Sequence, residues 1–422
     1  MKKRLLSAML SGCMLLTAFP SAYAVSLVSP SGIVQNVQTY ATRTDIDEKT
    51  AELTGDANLS SDVELKNQLN VKGKVEISLN SGTLSTKSGN DFTIIVKSGA
   101  ILTLTGTGGT IKSGEKGAIF IEKGGCVIFN NGTVQADGYA VNAVTVEQGG
   151  AFIMQNGIID AASGNKGIIT QGGTVIISGG SITAKNAAVS SEGSSESIIT
   201  VCGNATLFSD SAPAVSLMDL TTLTVSGDSM INGISARAGT VNITGGTINA
   251  PLPSDQNFDD DTMIDYKDSP ALPSAVYLLP GSKRNASTKE ITLNVSGGEL
   301  IGKGNGHGVA VYVGSKPQPA NVQITGGTIK GGTMFDDIRP LALYLQGTGR
   351  NFLINWDKLT VSISGGTFSA DPAKANTNTV PQGSEKTVFS DGYSAKRDTS
   401  GSWEIKADTT VKSFFSNLTG TK

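Results

Sequence analysis

The chain has little of what catalytic sites are usually made from. Its 422 residues include one histidine, three cysteines and two tryptophans, and charged residues make up 16%, where a typical soluble domain carries about 25%. A serine or cysteine nucleophile needs a partner base, and outside His307 no histidine exists to supply one. Lysine and arginine form no basic patch of the kind that neutralises phosphates, which argues against nucleic acid and anionic membranes as partners. After residue 24 no segment approaches the ~18 apolar residues of a membrane span.

The first 24 residues supply what the rest lacks. Lys2, Lys3 and Arg4 precede an apolar run from Leu5 to Phe19, and Ala22-Tyr23-Ala24 follows as an A-x-A cleavage site. These are the parts of a secretory leader, so residues 1–24 are expected to be removed, with maturation near Val25 and a secreted, extracellular product. The mature chain then keeps 30 basic against 36 acidic residues, a net charge of −6. A second reading takes Leu10-Ser11-Gly12-Cys13 as a lipobox with Cys13 lipidated; a mature chain starting CMLLTAF weighs against it.

Glycine is plentiful, at 52 residues, and it recurs in register with a repeat. An alternating strand, an SGG or TGG turn and a short apolar pair appear as VIISGGSI from Val175, VNITGGTI from Val241, VQITGGTI from Val322 and VSISGGTF from Val361. The early copies are spaced by about 24 residues, one coil of a β-solenoid. A second marker runs in phase with the first, with the form small, apolar, variable, apolar. It reads AIFI at Ala118, AVTV at Ala143, AVYL at Ala275, AVYV at Ala310 and ALYL at Ala342. Alternation puts its second and fourth positions on one face and its third on the other. Stacking buries the apolar face that no single strand could bury alone. Cys126 and Cys202 then lie about three coils apart, roughly 14 Å at ~4.8 Å per coil. That exceeds the ~7 Å a disulfide spans, so both are expected as small buried side chains.

These stretches resemble the right-handed parallel β-helix, or pectin-lyase-like, superfamily. They are more closely similar to secreted and surface proteins of bacteria, adhesin-like, that begin with a segment like KVEISLNSGTL and end with SISGGTFSADP, FSDGYSAK and a short hairpin. The resemblance implies an all-β, single-stranded, right-handed parallel β-helix of roughly ten or more coils with capped ends. Its expected parts are a leader at 1–24, an N-terminal segment and cap at 25–86, the helix at 87–370 and a C-terminal cap and tail at 371–422. Insertions interrupt the helix at 250–274 and 331–341. The hairpin is expected around Ser400-Gly401, carrying Tyr393 and Trp403.

A fold of this kind hosts lyases, hydrolases and purely structural proteins, so function rests on sites. Carbohydrate-cleaving sites need paired carboxylates, or Ca²⁺-binding aspartates with a basic residue, on stacked strands. The strand markers carry almost no Asp or Glu, and no catalytic residue is assigned. His307, in the turn GKGNGHG, reads as a solvated loop residue. The acidic insertion holds Asp259, Asp260 and Asp261. It is the weak candidate for Ca²⁺, although charge runs usually face water and no cofactor is otherwise expected. Asp336, Asp337 and Arg339 lie in the second insertion, which should project on the same side. The third marker position ends in Tyr277, Tyr312 and Tyr344, expected as a stacked row on the outer surface. Such a row either ladders the coils or stacks on sugar rings. The leading expectation is a non-enzymatic extracellular binding or structural module, adhesin-like, whose partner would be a polysaccharide or cell-surface glycan. The alternative is a polysaccharide lyase or glycoside hydrolase on pectin- or uronate-type polymers, using the acidic insertion with Arg339 or Lys267. A ligand-free spacer is a third reading.

Overall fold

Short runs of β-branched and apolar residues broken by glycine leave each coil three short strands and three corners. The computed structural model describes residues 43–87, 89–210, 212–218, 220–251, 274–281, 289–304, 306–332, 341–347, 352–376 and 380–408. Within the unit 44–422, strands of successive coils pair parallel and in register, forming a 25-stranded and a 12-stranded sheet. The larger sheet turns a corner, so three rows of strands run along the stack. One coil is Gly117–Ile121 in the third row, Cys126–Phe129 in the first and Thr133–Gln135 in the second. Nearly all the regular structure described is β; the helices are the short turns Leu353–Trp356 and Pro372–Lys374. This is a parallel β-helix.

Register makes the interior a set of ladders. In the third row Ile94, Ile119, Val144, Ile168, Val189 and Val215 stand one above the next, all fully buried. The position before this ladder is small because the strand there enters a corner against the second row. At Gly167 an added Cβ would lie 2.5 Å from Ile182, and at Gly308 2.4 Å from Ile329. The SGG and TGG turns need their second glycine for backbone reasons: Gly327 sits at φ +84°, a conformation only glycine adopts readily.

The stack extends N-terminal of residue 87, since Leu69–Val71 and Lys74–Leu79 already pair with the coil that follows. At the C-terminal end each row meets a closing element. Leu345 bridges to Asn376 and Ile363 to Phe389, while Phe368 and Thr367 pair antiparallel with Trp403 and Glu404. The closing strand belongs to the expected hairpin, Tyr393–Arg397 with Trp403–Ala407. Covering unpaired edges in this way blocks end-to-end strand addition. Cys126 and Cys202 form no disulfide and lie three coils apart, with Cys202 buried and Cys126 half-buried. Adjacent coils are also joined by ion pairs such as Lys97–Glu122 at 2.7 Å and Lys112–Asp137 at 2.9 Å, each worth little at a surface.

Candidate functional site

The corner between the second and third rows is where the sequence departs most from the repeat. Both insertions leave and return here: Pro251 and Ser274 bound one, Gly332 and Leu341 the other. Asp259, Asp260, Asp261, Lys267, Asp336, Asp337 and Arg339 all lie outside the described residues. Among the described residues, no group of three or more His, Cys, Asp or Glu is placed to hold a metal.

The tyrosines differ from expectation in two ways. The first is register. Val276 pairs with Val309 and Val309 with Leu343, so the column through Tyr277 continues to Ala310 and then Tyr344, while Tyr312 stands beside Gln346. The segment Gly308-Val309-Ala310-Val311-Tyr312-Val313 satisfies the marker in two frames two residues apart. A shift of two preserves which face each side chain occupies, and the small slot at the corner selects Gly308 over Ala310. The second difference is burial. The rings face away from the core but are covered: Tyr277 is 0% exposed, Tyr312 5%, and Tyr344 half-buried. They form a separate apolar cluster with Leu279 and Ala310. Tyr277 stacks on Tyr312 at 6.3 Å and Tyr312 tilts onto Tyr344 at 5.9 Å. The Tyr277 hydroxyl accepts from the Ser274 amide at 2.7 Å, and burial pushes that phenol far above its usual range. The three therefore form an inter-coil ladder, and only Tyr344 keeps part of its ring in solvent.

His307 overturns its solvated reading. It is fully buried and stacked face to face on Tyr344 at 4.1 Å with planes 6° apart. Its backbone amide donates to Ser274 Oγ at 3.1 Å, and its Nδ1 lies 3.0 Å from the Leu341 amide nitrogen. Burial lowers the imidazole to about 4, so at neutral pH the ring is uncharged. The glycine that follows His307 lets the chain pass close to the next coil; a Cβ on Gly308 would lie 3.0 Å from the Ala342 carbonyl oxygen.

No family model, curated protein or solved structure matches the chain.

Three features had no local sequence signal. Tyr139 projects at the tip of the turn Gly138–Val141, 81% exposed, and Lys185 from two coils further on holds its ammonium 5.5 Å from the ring centroid. The turn is fixed to the next coil, Gly138 N donating to Ser163 O and Asn165 N to Val141 O. Beside it Asn186 Nδ2 donates to Asn165 Oδ1 at 2.5 Å. The third is a pair of buried amides at another corner. Gln318 Nε2 donates to the Arg237 and Lys289 carbonyls, each at 2.9 Å, and its Oε1 accepts from Gly281 N at 2.8 Å. Asn355 in turn accepts from Gln318 N and donates to Gly314 O. Cys126 is no reactive thiol, because burial pushes it up to about 11 and the thiolate is the nucleophile.

Proposed function

We propose that the chain is a non-enzymatic, exported binding or structural module of a bacterial surface, adhesin-like and of the pectin-lyase-like β-helix type, with glycans as ligand. The observation that carries the reading is the state of the chain's one imidazole. His307 is fully buried, its face covered by Tyr344 and its Nδ1 on the Leu341 backbone, so it is not placed to take a proton from a substrate-facing hydroxyl or thiol. The export signal at residues 1–24 supports a place outside the cell. Among the described residues, no helix is long and apolar enough to cross a membrane.

The aromatic surface suited to sugar stacking is then Tyr139, with Lys185 across its ring and the Asn165–Asn186 amide pair on the same corner. Tyr344 offers a second, partial face further along. An exposed aromatic face stacks on the C–H face of a pyranose, and adjacent amides and an ammonium add hydrogen bonds that select orientation. A glycan array probed with the wild type, Tyr139→Ala and Tyr344→Ala tests this. The wild type is expected to bind, and Tyr139→Ala to weaken binding about tenfold or more, the loss of one buried aromatic contact. Absence of binding by the wild type would remove glycan recognition, and release of products from pectin- or uronate-type polymers would remove the non-enzymatic reading.

A further inference from the structure

We propose that His307 is a pH-operated latch that holds three coils together at the corner of the insertions while its ring is neutral and releases them when the ring is protonated. The contacts converge on this one residue. Ser274, where the chain returns from the first insertion, donates its amide to the Tyr277 hydroxyl and takes the His307 amide on its Oγ. Leu341, where the chain returns from the second, lies with its amide nitrogen 3.0 Å and its carbonyl oxygen 3.2 Å from His307 Nδ1. The ring face is closed by Tyr344 at 4.1 Å. His307 thus connects the coils of Val276–Leu278, Val309–Val313 and Leu343–Gly347 through side-chain contacts, in addition to their strand pairing.

The other ring nitrogen makes this arrangement conditional. Nε2 is buried and has no hydrogen-bond partner. A neutral ring leaves it as one orphan group, a moderate cost. Protonation makes both nitrogens donors. Nδ1–H then gives up the Leu341 amide and keeps only the Leu341 carbonyl oxygen at 3.2 Å, while the charged N–H at Nε2 points at nothing. Charge without a partner in such surroundings is strongly disfavoured.

Among the described residues, the titratable groups facing the ring are phenols: Tyr344 stacked on it, Tyr312 behind Tyr344, and Tyr277 across Ser274. The charged side chains on the described flanking segments are Lys303, earlier in the same loop, and Lys330, which is ion-paired with Glu299. Burial is the leading cause that lowers the imidazole, opposed by the Leu341 backbone bond. The sign follows from linkage. A histidine whose folded affinity for protons lies below its open-state value holds the corner fully above about pH 6.5. The hold is lost progressively as pH falls toward 4.

Because His307 is the chain's one histidine, its imidazole gives a unique ¹H–¹³C signal in the untagged protein, and amide exchange corrected for intrinsic rates reports the latch. The titration midpoint is expected near pH 4, and protection at the His307 and Leu341 amides should fall about tenfold or more between pH 6.5 and 4. In His307→Gln, protection should stay flat across that window. A midpoint near 6.5, unchanged protection in the wild type, or the same acid loss in His307→Gln would each overturn the proposal. Should His307→Gln not fold, the wild-type midpoint and exchange profile decide alone. Glycan binding by Tyr139, six coils back along the stack, is read separately and its failure leaves this test intact.

Discussion

Replacing Tyr277 with alanine is expected to cost about 4 kcal/mol of folding stability, the range for truncating a large buried aromatic. Tyr277→Phe should cost about 1–2 kcal/mol, because the ring still packs while the Ser274 amide loses its acceptor. The reasoning starts from register. Tyr277 stands outside the core ladder of Val276 and Leu278 yet is fully buried, stacked on Tyr312 and hydrogen-bonded at its hydroxyl. An exposed ligand-binding tyrosine would behave differently, with alanine changing stability by no more than about 0.5 kcal/mol. Denaturant unfolding followed by circular dichroism separates the two, and a near-silent Tyr277→Ala would mean that the ring is not part of the ladder.

Gln318→Leu should be nearly as damaging, at about 3 kcal/mol, although it conserves volume and adds apolar surface. The substitution leaves the Gly281 amide and the Arg237 and Lys289 carbonyls without the partners that Gln318 now supplies at 2.8–2.9 Å. The bonds to Gly281 and Arg237 are buried and the one to Lys289 partly so, and a buried group stripped of such a bond costs about 1–3 kcal/mol. Gly281 and Lys289 lie on one coil, Arg237 on the coil below and Gln318 on the coil above, so one amide side chain fixes the spacing of three coils at a corner. The same denaturant titration checks it, and a Gln318→Leu protein as stable as wild type would show that the corner amides are dispensable.

How much of this was written locally follows from what periodicity carries. Apolar positions such as Ile168 and Val189 repeat at fixed intervals, and alternation assigns their face without any knowledge of neighbours. The hairpin around Ser400-Gly401 was legible for a similar reason, since its turn chemistry is local. Tyr312 was not placed correctly because Gly308–Val313 is self-similar at a shift of two, and only contact with Ile329 in the second row breaks the tie. His307 was misread because its burial depends on Ser274, Leu341 and Tyr344, each more than 30 residues away in sequence. Gln318 reaches across 81 residues to Arg237, and nothing near either one announces the other. The exposure of Tyr139 likewise depends on the turn that displays it and on Lys185 two coils on.

The central claim is that coils stay in register even where a long insertion separates them. Asn242 and Asn294 are 52 residues apart, yet they pair as neighbours, with Asn294 Nδ2 donating to Asn242 Oδ1 at 2.8 Å. Thr224 lies one coil further down the same column. Nitroxides placed at 242 and 294, with Cys126 and Cys202 replaced by alanine, are predicted to sit about 5 Å apart at the backbone and to show strong dipolar broadening. The pair at 224 and 294 should sit about 10 Å apart and broaden much less. A 242/294 spectrum equal to the sum of its single-label spectra would contradict the stacked register and everything built on it.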